Sequence, residues 1–183
     1  LQEWPEHVVG ISPRVRGTLA HEVMAAVGEA RRRGVIEGSG EPDLHSLRVT
    51  ANEAFTRAVR VEAKKRTRVP PMIWDIERAR LMPLVDQVIM LDAARAGFRV
   101  VNIEEDVKVS LFDASFRLRV DRVDDFAAAK DESDQYGVVL DYKTGGVSRA
   151  DWFAQNSSGR LAAPQLPLYV FALNAIMPPD VPR

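Results

Sequence analysis

The stretch Val120-Asp121-Arg122-Val123-Asp124, followed later by Gly137-Val138-Val139-Leu140-Asp141-Tyr142-Lys143-Thr144-Gly145-Gly146, decides how this chain is read. Phe116, Leu118 and Val120 alternate with Arg117, Arg119 and Asp121, and residues 137–140 form a short apolar run that a Thr-Gly-Gly sequence stops. Both segments therefore read as β-strands. As antiparallel neighbours they bring two carboxylates, Asp121 and Asp141, and the Lys143 ammonium to one end of a sheet. Asp141 and Lys143, two apart on a strand, share a face. Paired Asp oxygens favour a hard divalent cation, Mg²⁺ or Mn²⁺ before zinc. A lysine beside such a cation can orient its water or stabilise negative charge building on a phosphoryl group. Asp-x-Lys is a short pattern, and a surface ion pair on a hairpin satisfies it equally well.

Upstream, residues 98–111 carry Val100, Ile103, Val107, Val109 and Leu111 in strand-like alternation, and Asp113-Ala114 supplies a tight turn into the second strand. Before them the pattern is helical. Ser12-Pro13 reads as an N-cap with Pro at the first helical position, and the helix runs to Arg33, where Gly34 ends it. Asp43 caps a second helix with Leu44, Leu47, Ala51, Ala54, Phe55 and Ala58 at spacings of three and four. A third helical region follows Pro70-Pro71 and runs towards Gly97, and Pro83 is expected to kink or divide it. Downstream, residues 164–177 read as a final helix with Pro164 and Pro167 in its first turn. Helices before and after a small mixed sheet define an α/β fold, and residues 43–97 are an N-terminal helical elaboration of the core at 98–177.

With 183 residues, 46% of them apolar and 28% charged, the chain is expected to form one folded domain, and no stretch approaches a membrane span. It has no cysteine, which excludes a disulfide framework, a thiolate nucleophile, Cys-ligated zinc and an Fe–S cluster held by this chain. That composition fits a cytoplasmic protein. The opening Leu1-Gln2-Glu3-Trp4 has neither an initiator Met nor a secretory signal and reads as the edge of a segment cut from a longer chain. Residues 1–100 hold 16 Lys+Arg against 13 Asp+Glu, and residues 101–183 hold 9 against 13. The basic excess gathers at Arg57, Arg60, Lys64, Lys65, Arg66 and Arg68, with Arg31-Arg32-Arg33 closing the first helix, and such clusters can neutralise phosphates.

Two further pairs sit one helical turn apart: Gly17 with His21 in the first helix, and Gln165 with Tyr169 in the last. Gly-x-x-x-His, the acidic pair Glu104-Glu105, Val-Asp-Arg-Val-Asp at 120–124, Asp-Tyr-Lys-Thr-Gly at 141–145 and Gln-x-x-x-Tyr at 165–169 occur in that order. In this order the chain resembles the PD-(D/E)-x-K nuclease superfamily, and within it the RecB/AddB-like nuclease domain, from the first helix to the last.

The resemblance implies a restriction-endonuclease-like core and a metal-dependent deoxyribonuclease, exonuclease rather than endonuclease, from a helicase-nuclease-type repair and recombination protein of the bacterial cytoplasm or nucleoid. It implies that Asp121 and Asp141 bind Mg²⁺ or Mn²⁺, that the Tyr142 carbonyl and His21 lie at the metal, and that Lys143 is the catalytic lysine. Gln165 and Tyr169 would place the DNA strand. Glu105, or Glu104 one residue earlier, would be the acidic residue of the first core strand, since alternation allows only one to face the site. The basic residues Arg57, Arg60, Lys64 and Lys65 would hold flanking DNA backbone without reading sequence. The implied partners are DNA and a helicase-like domain or subunit of the parent protein. Two departures stand out: Leu118 occupies the position three before Asp121 where family members usually carry Gly, and no cysteine is present for the Fe–S cluster of some relatives. The alternative is a domain of this type that has lost catalysis and serves to bind DNA or dock a subunit.

Overall fold

The computed structural model describes residues 10–38, 40–95, 97–111, 114–126, 136–145, 154–155 and 167–169. Three helices, α1 (Pro13–Ile36), α2 (Leu44–Lys65) and α3 (Pro71–Ala94), precede three strands, β1 (Phe98–Leu111), β2 (Ala114–Phe126) and β3 (Tyr136–Leu140). Ser12 starts α1: its Oγ accepts from the Val15 N–H at 3.4 Å, and Pro13 follows where no N–H is needed. Gly34 does not end this helix, which continues to Ile36. The glycine is needed there for a different reason: a Cβ at 34 would lie 2.3 Å from the Gly40 carbonyl oxygen of the following loop. Asp43 caps α2 by accepting from the Ser46 N–H at 2.7 Å.

Pro83 lies inside α3 without dividing it. The buried stripe Trp74, Glu77, Leu81, Val85, Ile89 and Asp92 continues past the proline at spacings of three and four, so packing on both sides outweighs the one lost backbone bond. Leu19, Val23 and Val27 of α1 meet Leu47, Ala51 and Phe55 of α2 and Leu81, Val85 and Ile89 of α3 in one apolar cluster. Each fully buried side chain of this size contributes roughly 1.5–3 kcal/mol. The helices at 43–97 thus share their core with α1.

The described strands pair antiparallel in the order β1-β2-β3. Leu111 pairs with Ala114, which belongs to β2, and the expected turn residue Asp113 lies outside the described residues. A smaller cluster of Val107, Val120, Val123 and Tyr169 packs at the sheet. α1 also packs against β1 and β2. Gly28 permits close approach, since a Cβ there would meet Ile103 Cδ1 at 3.1 Å. The result is a three-stranded antiparallel sheet flanked by helices, as in the restriction-endonuclease-like fold. Of the final helix expected at 164–177, only residues 167–169 are described, and they are helical.

Candidate active site

α1, β1 and β2 place three potential metal ligands together. His21 Nδ1 lies 3.2 Å from Asp121 Oδ1 and 3.3 Å from Glu104 Oε1, and the ligand atoms of all three residues fall within 4.8 Å of one another. Asp121 is buried, whereas His21 and Glu104 are partly exposed. Hydrogen bonds to Asp121 and Glu104 outweigh burial and push the His21 imidazole up to about 10. Its proton therefore occupies a place where a cation is favoured. Two carboxylates and an imidazole suit a divalent metal ion, so the residues present fit the one implied by the fold.

Glu104 joins this cluster through an irregular strand. The register passes from Ile103↔Arg122 to Glu105↔Val120, which sets Glu104 opposite Asp121, and Glu104 takes a φ of +49°. A non-glycine residue pays strain in that region, and such strain persists where the surrounding structure enforces it. Glu105 is exposed, outside the cluster and within electrostatic reach of Arg32. Period-two alternation alone could not choose between the two, because the positive φ and a register shift between Val100 and Asn102 break the period.

The second group follows β3. The strand ends at Leu140, earlier than the sequence suggests, because the Tyr142 N–H donates to Asp121 Oδ2 at 2.7 Å rather than to the ladder. That bond fixes the Asp141-Tyr142-Lys143 segment beside the first group. Lys143 Nζ lies 3.0 and 2.7 Å from the two oxygens of Asp141, whose side chain is buried while the lysine is exposed. Asp141 is thus engaged by Lys143 and is not one of the three clustered ligands. Burial pushes the Tyr142 phenol up to about 12, and its oxygen accepts from Arg122 Nη1 at 3.4 Å. Adjacent residues of β2 therefore hold Tyr142 from two sides, Asp121 at the backbone and Arg122 at the ring.

A cavity of about 870 Å³ opens over His21, Glu104 and Asp121, and Arg14, Gly17, Arg117, Leu118, Arg119 and Tyr169 also line it. Tyr169 is 2% exposed and donates its hydroxyl to the Arg119 carbonyl, so it braces β2 two residues before Asp121. Gln165 lies outside the described residues. Arg57, Arg60, Lys64 and Lys65 are exposed on α2 and do not line this cavity; Arg57 and Arg60 border a separate groove of about 370 Å³. The cationic lining of Arg14, Arg117 and Arg119 was not singled out by sequence, where they are three arginines among many.

A model of the PD-(D/E)XK nuclease superfamily matches residues 3–182. The chain belongs to that superfamily. No curated protein and no solved structure matches it significantly. As a PD-(D/E)XK nuclease domain, it has DNA as its implied substrate, and such nucleases generally use divalent metals. The letters (D/E)-x-K of the superfamily's name occur at Asp141-Tyr142-Lys143, and also at Glu62-Ala63-Lys64 and Asp106-Val107-Lys108, and Asp121, expected from the sequence as the first Asp, is preceded by Val120 rather than Pro. Valine suits that place, since β2 is the central strand and a proline there would remove a ladder donor. Among the described residues, no helix is long and apolar enough to cross a membrane.

Proposed function

We propose that this domain is an active, Mg²⁺- or Mn²⁺-dependent deoxyribonuclease of RecB/AddB-like type, acting as an exonuclease within a cytoplasmic helicase-nuclease repair protein. The observation that carries the reading is the convergence of His21, Glu104 and Asp121, with the Asp141-Tyr142-Lys143 segment tied to the same Asp121 by a backbone bond. His21, Glu104 and Asp121 would hold the cation, with Asp141 and the Tyr142 carbonyl as the further ligands the resemblance implies. When bound, the divalent cation neutralises charge on the phosphate and lowers the pKa of water at the site. Lys143, positioned by Asp141, places a positive donor where the attacking water and the non-bridging phosphate oxygens meet. Tyr169 keeps β2 in place through the Arg119 carbonyl, and Gln165 directs the strand. Arg57, Arg60, Lys64 and Lys65 give flanking backbone contacts on α2.

A domain that only binds DNA would need none of these chemical groups in reach of one another. Labelled DNA incubated with Mg²⁺ or Mn²⁺ tests the reading against an EDTA blank. Cutting by the wild type, lost with Asp141→Ala and with Lys143→Ala, is the expected result. DNA binding without cutting in any metal would favour the inactive module.

A further inference from the structure

The cavity over the metal ligands is electrically divided. Its floor carries Glu104 and the buried Asp121, and its outer lining carries Arg14, Arg117 and Arg119 with one exposed carboxylate, Glu22 of α1. Arg119 is committed to the floor, donating from Nε to Glu104 Oε2 at 2.7 Å. Arg14 and Arg117 are different: both are exposed, and neither has a carboxylate partner among the described residues.

Both also sit where a cation is locally unfavourable. Arg14 is in the first turn of α1, which contains no acidic residue and whose backbone dipole repels positive charge. Arg16 in the same turn is bonded to Glu77; Arg14 is not. Arg117 faces Lys108 directly across the β1–β2 ladder, and like charges in that relation are destabilising. Two other charged pairs in the ladder, Asp125 with Arg99 and Asp106 with Arg119, are opposite in sign, and the like-charged Glu104 and Asp121 meet at the metal cluster. Of the like-charged pair Lys108 and Arg117, the arginine lines the cavity. An anion bound between α1 and β2 would relieve both unfavourable placements at once.

We propose that Arg14 and Arg117, with Lys108 beside them, form a phosphate clamp that holds the backbone of a DNA strand next to the reacting phosphate. The inference rests on the nuclease reading for the identity of the ligand and adds to it the path of the strand: across the mouth between the start of α1 and the outer half of β2. Phosphates flanking the reacting one lie on the arginines, while the reacting phosphate lies over the carboxylate floor, where the metal ion is held. This division keeps the Arg14 and Arg117 guanidinium groups off the metal ligands and leaves Lys143 to the chemistry.

Binding of a short fluorescent single-stranded oligothymidylate, followed by anisotropy in EDTA across a KCl series, tests the clamp without requiring catalysis. Each lost phosphate contact on a single strand should lower the slope of log K against log salt by about 0.7, so Arg14→Gln/Arg117→Gln should lower it by about 1.4. Arg48→Gln/Arg80→Gln removes the same charge from side chains paired with Asp86 and Glu77 and should leave the slope unchanged. Thermal melting confirms that the variants are folded. A wild-type slope in the Arg14→Gln/Arg117→Gln protein, an equal fall in both double variants, or no binding by the wild type overturns the clamp. Metal-dependent cutting with an unchanged slope would retain the nuclease and reject the clamp, whereas a reduced slope without cutting would do the reverse.

Discussion

Replacing Arg122 by Met should be among the most destabilising single changes in the chain. Its side chain is 1% exposed, donates from Nε and Nη2 to the two oxygens of Asp124 at 2.6 and 2.9 Å, and from Nη1 to Asp92 at 2.5 Å. Its guanidinium also lies 5.3 Å from the centre of the Phe98 ring. Burial opposes the Arg122 charge, but Tyr142, Asp124 and Asp92 outweigh it, so the guanidinium stays protonated; burial likewise pushes the Asp124 carboxyl up. Met fills the volume but leaves Asp124 and Asp92, both nearly inaccessible, short of a partner. Breaking one side of a buried ionic group costs about 3–5 kcal/mol. Arg95, 3.0 Å from Asp92 and 3.1 Å from Asp124, remains and draws the expected loss to about 3 kcal/mol. At about 2–4 °C per kcal/mol for a chain of this size, the melting temperature should fall by roughly 6–12 °C. Urea unfolding and calorimetry measure both quantities. A change below about 1 kcal/mol would refute the view that Arg122 is the hub joining α3, β2 and Tyr142.

Gly34→Ala should destabilise by about 1–3 kcal/mol despite alanine's better helix propensity, because the new methyl meets a backbone oxygen that cannot rotate away; urea titration showing a gain would contradict this. Arg16 holds the Glu77 carboxyl below the usual carboxylate range through its side-chain hydrogen bond, against burial. The contribution is therefore fully present above Glu77's unfolded pKa, about 4.5, and is lost as pH falls through the lower folded value. Arg16→Ala should cost about 1–3 kcal/mol at neutral pH, with the gap to wild type narrowing on acidification in pH-dependent melts; a constant gap would count against the pair. Tyr142→Phe removes the phenol that Arg122 meets but keeps the backbone bond to Asp121, so it should lower stability by about 0.5–1.5 kcal/mol in urea unfolding while cleavage persists.

The helices and strands were legible because their signals are local. Ser12 and Asp43 cap helices where the sequence places them, and Leu47, Ala51, Ala54, Phe55 and Ala58 of α2 are buried as their spacing implies, with Leu44 partly buried. Readings that failed concern distant neighbours. Gly34 reads as a helix stop because nothing in the sequence reveals the Gly40 carbonyl above it, and of the kink or division that Pro83 implies the division is absent because the buried stripe of α3 continues past it. That Asp121, Asp141 and Lys143 come close together was legible from residue type and spacing. The choice of Glu104 over Glu105 was not, since it depends on one left-handed backbone angle. Likewise the rim arginines acquire their meaning only when α1 is laid beside β2.

Calorimetric titration with Mn²⁺ reads the metal site most directly. The wild type should bind one ion at the His21–Glu104–Asp121 cluster, Asp121→Ala and Glu104→Gln should abolish binding, and Glu105→Gln should bind as the wild type does. No binding by the folded wild type, or binding lost with Glu105→Gln and kept with Glu104→Gln, would contradict the site.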